Sequence, residues 1–129
     1  MKSTIISVLI GGTLIGGTLL ISRGQSNTVH VVPVQNVSMV NGTQIVGISA
    51  KGGYSPQISK AKSDTPTVIR ITTNATFDCS SIVKIPSLAY EKNLPPSGVT
   101  DIEIPPQKAG TKLEGLCVMG MYNFEVQFD

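Results

Sequence analysis

Short clusters of turn-forming residues divide the last two thirds of this 129-residue chain into brief segments. The clusters contain glycine, proline, serine or asparagine: "KGGYSP" (51–56), "SDTP" (63–66), "NLPPSG" (93–98) and "PPQKAG" (105–110). Between them lie β-branched or alternating runs, at 43–49, 67–73 and 122–128. In the last run Phe124, Val126 and Phe128 share one face. Many short strands with regular turns predict an all-β domain, an antiparallel sandwich or a small barrel.

The N-terminus carries a long apolar run that contains no charged residue. Residues 3–22 would form a helix of about 30 Å, which is enough to cross a bilayer core. A cleaved secretory signal is the alternative, but its apolar core is usually only about 7–15 residues long and a small-residue cleavage site follows it. We therefore expect a transmembrane anchor at 1–23, a tether or edge segment at 24–41 and a folded domain at 42–129.

The charge distribution excludes a nucleic-acid-binding role for the folded part. Lys2 and Arg23 flank the apolar run, whereas from residue 24 onward seven lysines and Arg70 balance eight acidic residues. A basic footprint for phosphate contacts is therefore missing. The flanking charges faintly favour an N-terminus inside the cell and a domain outside it.

Sulfur is concentrated near the C-terminus. Cys117, Met119 and Met121 are spaced at i, i+2 and i+4, so in a strand or its adjoining loop the three sulfurs could converge, and Cys79 follows a predicted strand. Thiolate and thioether ligands select Cu(I), and thioethers are poor zinc ligands. Two Cu(I) ions with two thiolates would form a neutral cluster, which is easier to bury than an ion. A Cys79–Cys117 disulfide and plain core packing remain open as alternatives.

The scarcity of histidine limits the kinds of metal site and of enzyme active site that the chain can form. His30 is the only one and falls in the predicted tether. A blue-copper site needs two imidazoles, and a nucleophile–base triad needs at least one in the folded part. We therefore expect Cu(I) storage or transfer rather than redox cycling, and no enzymatic activity.

Five segments in a fixed order resemble a known family: "GGYSP" (52–56), "FDCSSIVKIPSL" (77–88), "NLPPSG" (93–98), "PPQKAG" (105–110) and "CVMGM" (117–121). They are similar to the membrane-anchored Cu(I) chaperones of Gram-positive copper-resistance operons. This resemblance implies an N-terminal transmembrane helix followed by an all-β, cupredoxin-like Greek-key β-sandwich. Family members commonly have a glycine where this chain has Val118.

The same resemblance implies a site, a partner and a location. Cys79, Cys117, Met119 and Met121 would bind one or two Cu(I) ions in a cluster. The metal-binding domain of a copper-exporting P-type ATPase would receive the copper. The domain would face the cytoplasm from the cell membrane, against the weak indication of the flanking charges.

Overall fold

The computed structural model describes residues 35–129, which fold into ten β-strands and two short 3-10 helices. The helices are Cys79–Ser81 and Pro86–Leu88. The strands are β1 (Val37–Val40), β2 (Thr43–Ala50), β3 (Tyr54–Ser55), β4 (Ile58–Ala61), β5 (Thr67–Thr73), β6 (Ile82–Ile85), β7 (Tyr90–Asn93), β8 (Gly98–Ile104), β9 (Lys112–Cys117) and β10 (Asn123–Phe128).

The strands form two five-stranded sheets. The first sheet has the order β1-β2-β5-β8, with β3 paired to β2. The second has the order β4-β10-β9-β6-β7. One neighbouring pair in each sheet is parallel, β2 with β5 and β4 with β10, and the other pairs are antiparallel. Both sheets are therefore mixed.

Alternating burial along the strands produces one hydrophobic core to which both sheets contribute. In β5 the side chains of Ile69 and Ile71 are fully buried while Arg70 is exposed. In β10 Phe124, Val126 and Phe128 are buried, which confirms the predicted common face of these residues. Apolar side chains at every second position of a strand face the same layer, and their burial holds the sheets together.

The predicted fold class, an all-β cupredoxin-like Greek-key β-sandwich with an N-terminal transmembrane helix, is wrong as stated. β-Structure dominates the described residues, but a Greek key joins antiparallel strands, whereas each sheet here contains a parallel pair. The chain leaves the first sheet after β3, adds β4 to the second sheet and returns through β5 in the direction of β2. Alternation reveals which face a strand buries but not the direction of its neighbour.

The predicted cell-membrane localisation also needs correction. Within residues 35–129, no helix is long and apolar enough to cross a bilayer. The expected anchor at 1–23 lies outside the described residues. β1 falls within the range predicted as the tether, 24–41, and it pairs with β2 along its whole length at the edge of the first sheet.

One glycine is required by the packing of the second sheet. Gly115 in β9 lies opposite Phe124 in β10, and a Cβ at position 115 would overlap the Phe124 ring. Because this ring is fully buried, it has no free space into which to move.

We predict that Gly115→Ala lowers the free energy of unfolding by about 1–3 kcal/mol, the usual cost of overpacking a core. Urea unfolding measures the change. Gly47→Ala is a matched control in β2, since the added Cβ would lie at an ordinary 3.5 Å from the Asn36 carbonyl oxygen. Equal stability losses in the two variants would show that the Phe124 contact is not the cause.

Candidate metal centre

Cys79 is the first residue of a three-residue 3-10 helix, Cys79–Ser81. The preceding residue, Asp78, caps this helix, because its carboxylate accepts a hydrogen bond from the Ser80 backbone N–H at 2.8 Å. Aspartate is among the preferred capping residues because its side chain satisfies an amide left free by the helix. The Ser80 hydroxyl also donates to this carboxylate. Local sequence therefore fixes the backbone on which Cys79 sits half-buried.

Cys117 is the last residue of β9, and its side chain is buried in the core. Its backbone N–H donates to the Tyr122 carbonyl at 3.0 Å, which closes the turn between β9 and β10. The Tyr122 backbone N–H lies 3.4 Å from the Cys117 Sγ and donates to it. A backbone amide is therefore positioned beside the Cys117 sulfur.

The two predicted cysteine ligands meet. Cys79 and Cys117 form a disulfide across a sequence separation of 38 residues, with their Cα atoms 5.7 Å apart. This pairing was one of the two alternatives to a metal site. Since a disulfide requires both sulfurs at one place, the fold also brings together the two thiols that a soft-metal site would need.

Met119 and Met121 lie in a turn rather than in a strand. β9 ends at Cys117 and β10 begins at Asn123, so the strand interpretation of the i, i+2, i+4 spacing is wrong and the loop interpretation holds. The side chains of Met119 and Met121 are 77% and 68% exposed. This exposure rules out core packing as the role of the two methionines. Both methionines therefore lie in the turn that follows Cys117, with their side chains in solvent.

The turn clarifies the role of the residue at position 118. The Gly120 N–H donates to the Cys117 carbonyl at 2.9 Å, and Gly120 has a φ of +69°, a conformation that favours glycine. Val118 has no positive φ. Gly120 therefore supplies the backbone freedom of the turn, and a side chain at position 118 is compatible with it.

Asp78 and Tyr54 are the charged and polar groups that sequence reasoning missed. Hydrogen bonds from the Ser80 hydroxyl and from the Gly52 and Ser80 amides hold the pKa of Asp78 below its ordinary value. Burial, followed by the charge of Asp78, raises the pKa of Tyr54 to about 12. Asp78 is therefore ionised and Tyr54 protonated at neutral pH. Only the aspartate–serine spacing around Cys79, typical of a helix cap, could have indicated this arrangement.

Harder ligands are not gathered anywhere in the described part of the chain. No group of three or more histidine, cysteine, aspartate or glutamate side chains there could hold a metal ion. His30 lies outside the described residues.

Solved structures of copper-binding domains are similar to this chain. No family model and no curated protein matches the chain. One similar solved structure is the metal-binding domain of the Cu(I)-exporting P-type ATPase CopA from Streptococcus pneumoniae D39, with Cu(I). It is 22% identical with a TM-score of 0.65, over 72% of this chain and 92% of that domain. Another is the apo form of a copper-binding protein, 24% identical with a TM-score of 0.66, over 74% of this chain and 96% of that one.

At these identities the likeness shows the fold alone. The described residues thus have a fold that copper-binding domains also adopt. The ligands Cys79, Cys117, Met119 and Met121 stay a prediction from the sequence.

We predict that reducing the Cys79–Cys117 disulfide lowers the free energy of unfolding by about 4 kcal/mol, because opening a loop of this size restores entropy to the unfolded chain. Urea unfolding with and without a reductant measures the difference. The double variant Cys79→Ser, Cys117→Ser is the control and should be insensitive to reductant. Equal unfolding midpoints for oxidised and fully reduced wild type would contradict the prediction.

Proposed function

We propose that this domain is a Cu(I) chaperone or buffer that binds one or two Cu(I) ions as cargo through Cys79, Cys117, Met119 and Met121. The observation that carries the proposal is the contact between the Cys79 and Cys117 sulfurs at the end of β9, from which two exposed thioethers continue. The likeness to copper-binding domains supports it.

The reduced form of the site suits a soft ion. Metal–thiolate bonds are roughly 2.3 Å long, so two sulfurs up to about 4.6 Å apart can share one ion. The Cα separation of 5.7 Å permits this without a change in the backbone. Thiolates and thioethers together prefer Cu(I) to harder divalent ions. Two Cu(I) ions would also neutralise the two thiolates, which favours a cluster beside the apolar core.

The difference in burial supports different roles for the proposed ligands. The Cys117 side chain is buried, and the Tyr122 N–H donates to its sulfur, so the thiolates would form the tight part of the site. The exposed Met119 and Met121 thioethers would form a weaker and more exchangeable part. An incoming thiolate from a partner would displace a thioether first and a cysteine afterwards.

The proposed recipient is the metal-binding domain of a copper-exporting P-type ATPase. The similarity of this chain to one such domain supports a shared copper-transport context. Transfer of Cu(I) from this domain to such a domain would need no change in the oxidation state of the metal.

A second candidate function is favoured by the disulfide itself. In this alternative the domain is an exported binding module, the Cys79–Cys117 bond is structural, and no metal is bound. Counting thiols in anaerobically prepared native protein separates the two candidates. The chaperone requires two free thiols per chain before copper is added, whereas the structural module has none.

We predict that the reduced chain binds up to two Cu(I) ions in competition with a chromophoric chelator, and that the oxidised chain loses the tight site because its thiolates are no longer available. A stoichiometry near zero for the reduced chain would contradict the proposed function.

Matched variants test the division of roles within this titration. Met119→Ala combined with Met121→Ala should leave one tight site, whereas Cys117→Ala should weaken both. Met39→Ala is a control for the loss of an exposed methionine, since Met39 lies in β1 and is 49% exposed. Equal losses in the methionine and cysteine variants would refute the assigned roles.

A further inference from the structure

The "KGGYSP" turn contacts both ends of the helix that carries Cys79. The Gly52 N–H donates to the Asp78 carboxylate at 2.7 Å, at the N-terminal end of the helix. The Tyr54 hydroxyl donates to the Ile82 carbonyl at 3.2 Å, at the C-terminal end. Asp78 and Ile82 are the two capping residues of Cys79–Ser81. Residues 52–54, here called the clamp segment, therefore hold this short helix on both sides.

The clamp segment also reaches the Cys117 side of the site. Gly53 lies against the Tyr122 ring, since a Cβ at position 53 would lie 3.4 Å from a ring carbon. Tyr122 is the residue whose backbone N–H donates to the Cys117 Sγ. Gly53 has a φ of +121°, so both its conformation and its contact favour glycine. The clamp segment thus contacts the two capping residues of the helix that carries Cys79, and it also contacts Tyr122, which donates to the Cys117 sulfur.

The core keeps the clamp segment in place. Tyr54 is buried and pairs with Ala50, which ties β3 to β2 in the first sheet. Its ring packs edge-to-face against the Phe124 ring of the second sheet, with centroids 5.1 Å apart. The segment is therefore fixed to both sheets, whereas the helix that it holds is only three residues long and has the poorer hydrogen-bond geometry of a 3-10 helix.

We propose that the clamp segment and Asp78 are a positioning device that keeps the Cys79 and Cys117 sulfurs adjacent when the disulfide is open. The part that concerns copper rests on the proposed function: the reduced chain would present Cu(I) with two thiolates already in place. In the oxidised chain the covalent bond holds the sulfurs together, so the device matters most after reduction. Binding to a preformed site avoids the entropy cost of ordering the ligands.

The equilibrium with glutathione tests this without any copper. Two glutathione thiols reduce the disulfide to two cysteine thiols and form one glutathione disulfide, so the equilibrium constant reports the effective concentration of one protein thiol near the other. We expect Asp78→Ala to lower this effective concentration about tenfold, since it removes charge-assisted hydrogen bonds. Tyr54→Phe should lower it about threefold and preserves the buried ring. Asp78→Asn, which retains one acceptor oxygen, should recover part of the loss.

Two controls match these variants. Asp101→Asn removes an exposed carboxylate that pairs with Arg70 on the first sheet, and Tyr90→Phe removes a hydroxyl from β7. Circular dichroism confirms that each variant is folded before the measurement. An unchanged effective concentration in both Asp78→Ala and Tyr54→Phe would overturn the proposal, as would an equal fall in the controls.

Cu(I) affinity of the reduced variants, measured by chelator competition, should fall in the same order as the effective concentration. A fall in effective concentration without any Cu(I) binding by wild type would refute the proposed function and leave the sulfur-positioning role supported. Cu(I) binding by wild type with equal affinity in Asp78→Ala and Tyr54→Phe would support the proposed function and overturn the role of the clamp segment in it.

Discussion

The pairing of β6 with β9 is the constraint on which the candidate site depends. Val83 in β6 lies opposite Cys117 in β9, and the helix Cys79–Ser81 runs directly into β6. Two cysteines far apart in sequence therefore meet at one end of the second sheet. The β9–β10 turn then extends from Cys117 with Met119 and Met121 exposed. A shift by one residue in this pairing would turn the cysteine side chain to the other face of the sheet.

The geometry that joins two sulfurs in a disulfide would also suit a shared soft ion, and under the proposed function the oxidation state of the thiols would select between these outcomes. The sulfur of Cys117 has a buried side and a hydrogen-bond donor, whereas the thioethers beyond it are open to solvent. Under the proposed function, such an arrangement would combine tight retention of Cu(I) by thiolates with access for an incoming ligand. A chaperone requires both properties, because its metal must be held and then released to a partner.

Local patterns in the sequence predicted some parts of the structure well and others poorly. The alternation around Ile69 and Phe124 gave the correct strands and buried faces, because side-chain period is a local property. The parallel pairing of β2 with β5 depends on the route of the chain between sheets, which alternation does not encode. The meeting of Cys79 and Cys117 was expected from either a metal site or a disulfide, and the structure contains the disulfide, which was an alternative to the metal site. The end of β9 at Cys117 was not expected, although Gly120 marks the turn. Asp78 was missed because its partner Gly52 is 26 residues away.

X-ray absorption at the copper edge of the reduced, Cu(I)-loaded chain tests the central claim most directly, because it identifies the atoms bound to the metal. A site formed by Cys79, Cys117, Met119 and Met121 predicts a first shell made only of sulfur, with an added copper–copper contribution at two equivalents. A first shell dominated by nitrogen or oxygen would contradict the account. The same shell in the Cys79→Ser, Cys117→Ser double variant would also contradict it, since copper would then be bound elsewhere.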